Sequence, residues 1–281
     1  MDPATIIGIL LAFGSLLAMM LMEGASPTAV LLPAPMILVF GATIAVGIAS
    51  ATLPDAILAV KALPRAFLGK VPKSQAVIDQ MVEIAELARK QGLLSLEQEA
   101  ERVDDPFLKG ALQSIADGVD ADELAIILED KIATYERTNK ISSKFYASMG
   151  GYAPTIGIIG TVVSLTHVLE NLSEPEKLGH MIASAFVATL WGVLSANFLW
   201  LPIAGRLNRL NDLEVQQMNL TMEGILAVQA GSQPRVLAER LSALLPMDAV
   251  GKAAKGADGA KAPKAAKAGK AAKGAKLPEA A

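Results

Sequence analysis

Inside the apolar part of this 281-residue chain, hydroxyls and prolines are the groups with chemical promise. There is no Cys, and His occurs twice, at His167 and His180. Disulfides, thiolate metal sites and cysteine nucleophiles are therefore excluded, and a multi-His centre is not supported. No nucleotide-binding loop, metal-ligand spacing or nucleophile–base pair occurs, so nothing points to an enzyme, a metal or a cofactor. Thr161 and Thr189 offer something else. Each sits on a helical face of small residues: Ala153, Gly157, Gly160, Thr161 and Ser164 on one, and Ala185, Ala188, Thr189, Gly192 and Ala196 on the other. Small side chains let backbones approach closely, and hydroxyls bond across helices. Either these faces pack statically within one subunit, or they surround another helix or a narrow water-filled path with the threonines as polar lining. Pro154 and Pro202 flank the same boundary of these two segments. Each removes a backbone hydrogen bond, so the pair makes either a hinge or two fixed kinks. Pro35 is read as a kink only.

The elements that hold these residues are apolar. The chain is 52% hydrophobic and 19% charged, too apolar for an ordinary soluble domain. Four stretches lack Asp, Glu, Lys and Arg: residues 3–22, 24–54, 145–169 and 181–205. Each reaches the roughly 20 residues that a helix needs to cross a bilayer. The first begins without Lys or Arg and is read as a retained helix rather than a leader. Between the second and third stretches lie twelve Lys and Arg, whereas the short connectors carry Lys177 alone. Basic residues stay on the cytoplasmic side, which places 55–144 and both termini inside. The expected fold is all-α: a polytopic membrane protein with four transmembrane helices and a helical cytoplasmic domain. Proton relays and ion paths generally need an ionisable group within the membrane, and these stretches hold none. Either the chain does not transport, or a partner supplies the missing group.

The expected organisation is a first transmembrane pair in 1–54, a cytoplasmic helical domain in 55–144, a second transmembrane pair in 145–205 and a cytoplasmic amphipathic segment in 206–250. The first pair is joined by about six residues around Ser26 and Pro27. Across 76–101, Val77, Met81, Ile84, Leu87 and Leu94 recur at helical steps. A second amphipathic helix carries Leu124, Ile127, Leu128 and Ile132, with Asp120 or Asp122 as its cap. Another, over 207–228, continues from the fourth stretch. Residues 251–281 hold eight Lys with Asp258 and Glu279, a net of +6 that leaves −9 for the rest. This Lys/Ala-rich segment lacks apolar anchors and is expected to be disordered, either solvated or drawn to anionic lipid or nucleic acid.

The segments "IIGILLAFGSLLAMMLMEG", "ELARKQGLLSLEQE", "DDPFLKGALQSIADG", "GGYAPTIGIIGTVVSLTHVLENL" and "LGHMIASAFVATLWGVLSANFLWLPIAGRL" resemble, in order, the MotA family of flagellar stator subunits, within the wider MotA/TolQ/ExbB group. The resemblance spans most of residues 1–250, with both prolines in place. TolQ- and ExbB-like members have three membrane helices, so four favour MotA. The resemblance implies a ring, a pentamer, in the bacterial inner membrane around a MotB-like partner that supplies the ion-binding Asp. It implies cation influx, of sodium or protons, that turns the ring against the rotor protein FliG, with no nucleic-acid partner. Thr161 and Thr189 would line the ion path, Pro154 and Pro202 would couple occupancy to movement, and Arg89 and Glu97 would touch the rotor. From charge pattern alone those last two are a solvated helix face. Threonine at both path positions leans towards sodium, since a hydroxyl can coordinate a dehydrated cation. The alternative is an ExbB/TolQ-like ring subunit energising an envelope or secretion system.

Overall fold

The computed structural model describes residues 4–245, and all regular structure among them is helical. In order these helices are α1 Ala4–Met22, α2 Pro33–Ala49, α3 Leu53–Leu68, α4 Ser74–Gln91, α5 Leu96–Arg102, α6 Pro106–Ala116, α7 Ala121–Glu170, α8 Pro175–Ser195, α9 Leu201–Gln229 and α10 Pro234–Ala243. A five-residue π turn, Ala196–Trp200, joins α8 to α9. The Lys/Ala-rich segment 251–281 lies outside the described residues.

Two long rods dominate. At 1.5 Å per residue, the 50 residues of α7 extend about 75 Å, more than twice a bilayer core. The amphipathic stretch after Asp120 and the third apolar stretch, read as separate elements, are thus one helix. Asp120 is its cap, accepting from Asp122 N at 3.0 Å. Along the other rod, α8 passes through the π turn into α9, so the fourth apolar stretch and its amphipathic continuation are also unbroken. α7 packs along both α8 and α9.

Among the described residues three helical runs are long and apolar enough to cross a membrane: α1, α7 and the rod from Leu178 to Gln229. α2 is apolar but only 17 residues, about 25 Å. The 31-residue second stretch does not become one helix, because a 3₁₀ turn at Pro27–Val30 precedes α2 and Thr52 caps a new helix at Leu53. The α1–α2 connection accordingly takes ten residues, 23–32, instead of about six. α1 leans on the π turn, α3 and α9, with Phe13 edge-on to Phe198 at 5.5 Å. Pro35 falls in the first turn of α2, where a missing N–H costs nothing, so no kink is needed.

The helix read across 76–101 is also divided. α4 stops at Gln91 because Gly92 adopts φ +85°, a left-handed conformation that suits glycine, and a short 3₁₀ turn leads into α5. Val77, Met81 and Ile84 are buried as expected and Leu87 packs beside them, whereas Leu94 is 71% exposed on that turn. Leu124, Leu128 and Ile132 are buried too.

Apolar packing falls into two clusters. One joins α4, α5, α6, α10, the start of α7 and the end of α9 in a helical bundle. The other gathers Ala56, Ala59 and Ala66 of α3 with Phe145, Tyr146 and Met149 of α7 and Trp200, Ile203 and Leu207 at the π turn and α9. Neither cluster includes a residue from 133–144 of α7 or 208–214 of α9.

Candidate functional site

The two small-residue faces meet one another within the single chain. A Cβ at Gly157 would stand 2.9 Å from Ala188 O and 3.1 Å from Gly192 Cα, and one at Gly192 would stand 2.8 Å from Ala153 O. Glycine at both places is what lets the α7 and α8 backbones touch. At the level of Gly157 and Gly192 the two faces therefore pack on each other.

Thr161 and Thr189 lie beside that contact, half-buried and hydrogen-bonded to each other. The Thr161 Oγ1 also lies 3.0 Å from Ala185 O and 3.2 Å from Gly157 O. One hydroxyl proton cannot serve three acceptors. The arrangement that satisfies both residues has Thr189 donating to Thr161 and Thr161 donating to a helix carbonyl. In that relay each oxygen keeps a lone pair that no donor occupies. Trp191, on the same helix as Thr189, donates from Nε1 to Val30 O at 2.7 Å and so fastens α8 to the connection before α2. α2 runs beside α7 here: Leu38 Cδ2 would lie 2.9 Å from a Cβ at Gly160, and Met149 fills the space at Gly47.

The prolines behave differently from each other. α7 continues through Pro154 without interruption, so that residue does not break its helix. Pro202 follows the π turn, in which Leu201 N bonds to Ala196 O five residues back. Widening the preceding turn relieves the backbone where proline has no N–H to donate. Pro202 also lines a cavity of about 360 Å³ with Ala4, Gly8, Ile9 and Ala12 of α1 and Phe198.

Arg89 and Glu97 come together only as exposed residues on two short helices, α4 and α5, either side of the Gly92 turn. Neither forms an ion pair among the described residues, whereas neighbouring Lys90 pairs with Glu86 at 3.0 Å. They flank a turn and do not share one continuous helix face.

A polar cluster escaped the sequence reading. The Arg65 guanidinium of α3 donates to the Glu214 carboxylate of α9 and to Asn139 Oδ1 of α7, and the Tyr135 hydroxyl of α7 donates to the same carboxylate. Burial, followed by the Glu214 carboxylate, pushes the Tyr135 hydroxyl up to about 12. One turn away on α9, Asn211 is fully buried with neither side-chain polar atom partnered among the described residues. Four residues from three helices cannot be linked by spacing. The available signal was the interruption of apolar periodicity over 133–144, inside a stretch otherwise patterned for burial.

Comparison with known proteins gives a consistent result. Residues 6–92 match the family described as Motility protein A N-terminal, and residues 99–220 match the MotA/TolQ/ExbB proton channel family. Motility protein A of Bacillus subtilis (strain 168) is 35% identical over 252 residues, covering 88% of this chain and 92% of that protein. The chemotaxis protein PomA of Vibrio alginolyticus is 31% identical over 245 residues, 87% and 96% of the two chains. Among solved structures, the flagellar MotAB stator complex from Bacillus subtilis aligns with a TM-score of 0.83 at 33% identity, covering 90% of this chain and 100% of that one. The C. jejuni MotAB structure aligns with a TM-score of 0.85 at 28% identity, over 88% and 97%.

Proposed function

The chain belongs to the motility protein A family and is a stator subunit of the flagellar motor, and on that premise we propose how its residues divide the work. With a MotB-like partner it forms a channel in which cation influx drives a ring of copies, a pentamer, against the rotor protein FliG. The observation that carries this reading is the charge-free character of 145–169 and 181–205 beside a hydroxyl pair. Moving a cation through hydrocarbon calls for an ionisable group, and the spanning segments provide only hydroxyls and backbone. The carboxylate therefore arrives on the partner, and Thr161 and Thr189 line its path. Paired hydroxyls favour sodium over the proton, since both can serve as oxygen ligands.

Four spans fit this assignment. α2 lies alongside the apolar part of α7, from Gly160 to Met149, which supports its crossing the same layer despite its length. Residues 1–54 and 145–205 form the membrane part, 55–144 and 206–250 the cytoplasmic part, and both termini face the cytoplasm. Pro154 and Pro202 relate ion occupancy to helix movement, with the π turn before Pro202 as the more pliable of the two sites. Arg89 and Glu97, exposed and without ion-pair partners among the described residues, present their charges to the rotor.

The test is conduction in proteoliposomes. Purified chain together with its MotB-like partner should pass cations, tested separately under sodium and proton gradients. Flux should vanish when the partner's intramembrane Asp is changed to Asn. Conduction of equal size by this chain alone would overturn the reading.

A further inference from the structure

The two apolar clusters are separated by a polar waist. Along α7 it runs from 133 to 144 and contains Tyr135, Asn139 and the buried Ser142 and Ser143. Along α9 it contains the buried Asn211 and, one turn on, Glu214. Within both rods this is the segment where no cluster of apolar side chains holds the helices in register. Interdigitated cores resist sliding and twisting because each displacement costs packing. Leu210 of α9 is fully buried within this waist but belongs to neither cluster, so the waist resists chiefly through its hydrogen bonds and ion pairs.

Those bonds converge on one place. Arg65 reaches from α3 to Glu214 on α9 and Asn139 on α7, and Tyr135 closes the triangle on Glu214. The Arg65 and Glu214 side chains are 27% and 26% exposed, which sets them apart from the screened Lys90–Glu86 pair at 71% and 51%. α3 is the connector that leads from the first helix pair into α4 of the cytoplasmic bundle. Its Ala59 carbonyl accepts from the Tyr146 hydroxyl at 3.0 Å, so the membrane-side half of α3 is already fixed to α7. Arg65, near the other end of α3, adds the tie to α9.

We propose that Arg65, Tyr135 and Glu214 are positioning residues for force transfer, forming the joint through which movement of the membrane helices reaches the cytoplasmic bundle. The joint ties α7 to α9 between the two apolar clusters and ties both to α3, whose Ala66 belongs to the second cluster, so that the two cores move as one body. Asn211, buried one turn from Glu214 and unpartnered among the described residues, marks the waist as the place where the polar network has spare capacity to re-pair when the helices shift. The inference rests on the stator reading above, and its test separates the two.

The experiment uses the complete complex with its partner and measures two quantities for the same set of variants: cation flux in proteoliposomes and stall torque of tethered cells. Arg65→Gln, Glu214→Gln and Tyr135→Phe each remove part of the joint, and Arg65→Glu combined with Glu214→Arg restores the pair in reverse. Loss of a charge-assisted bond shifts a two-state joint by about tenfold. Each single variant should therefore keep its flux while torque per assembled complex falls by about threefold or more. The double variant should recover most of the torque. Equal losses of flux and torque, or a fall explained by the amount of assembled complex, would make the cluster merely structural and overturn the proposal. Unchanged torque in all three single variants would do the same. Tyr135→Phe, which deletes one hydroxyl, carries the test if the charge variants do not assemble. An unmodified complex that neither conducts nor turns would refute the stator reading instead.

Discussion

Thr161 holds one proton and faces three acceptors, and that shortage gives the hydroxyl pair its chemical character. Thr161→Val keeps the shape and removes the central oxygen, leaving Thr189 without its partner. The expected result is a stability loss of about 1 kcal/mol in detergent melts, accompanied by a fall in cation flux with the partner present. A melting change with normal flux would assign both hydroxyls to packing alone. Tyr135 supplies a second residue-scale prediction. Its ordinary value of 10.0 is raised to about 12, so folding favours the protonated phenol. That contribution is complete below pH 10 and is lost as pH climbs from 10 towards 12. The difference in unfolding midpoint between the native chain and Tyr135→Phe should be flat up to pH 10 and shrink above it. A difference that stays constant through pH 12 would mean that the hydroxyl feels neither burial nor Glu214. Neither residue could have been paired with its partner from sequence, because Thr161 and Thr189 lie 28 positions apart and Tyr135 and Glu214 lie 79 apart.

Among the helices, α7 and α8 approach backbone to backbone at Gly157 and Gly192. Alanine is ordinarily the better helix former, by about 1 kcal/mol over glycine. At Gly192 the new methyl would meet the Ala153 carbonyl and Gly157 Cα inside normal contact distance, and backbone cannot yield cheaply. Forced overpacking costs about 1–3 kcal/mol, which outweighs the propensity gain. Gly192→Ala should therefore lower the melting temperature of the purified chain, while Gly14→Ala, with open space around its Cβ, should not. If Gly192→Ala melts normally, the two backbones are not in contact in the folded protein. The small-residue faces themselves were legible from spacing, because helical periodicity puts them on one side. That they face each other depends on the antiparallel register of two rods, which no local pattern encodes. The break at Gly92 was missed for a related reason: apolar residues continue through 93–96 at nearly helical steps, and the φ of one glycine decides the outcome.

Among the described residues, two apolar clusters share the helices α7 and α9 with a polar waist between them. Such a layout suits a protein whose membrane part and cytoplasmic part must be mechanically connected while immersed in different solvents. The proposed orientation can be tested directly, since the chain has no Cys to interfere. Single cysteines at Glu97 and Glu174 should react with an impermeant maleimide on opposite sides of intact cells. Glu174→Cys is expected to label from outside, and Glu97→Cys only after lysis. Labelling of both from the same side would remove the basis for the orientation.

Composition and period alone dictate that charge-free runs leave water and that amphipathic runs share a core, and they motivate the proposal that a channel without a membrane acid borrows one. Those are additive properties of composition and period, so they survive without coordinates. Only the tertiary structure decided that apolar and amphipathic stretches fuse into rods, that the small faces close on each other, and that Arg65, Tyr135, Asn139 and Glu214 converge. Such meetings depend on which residues of distant segments share a level. Register between packed helices, set by interdigitating side chains and not by any residue's own preference, fixes that level.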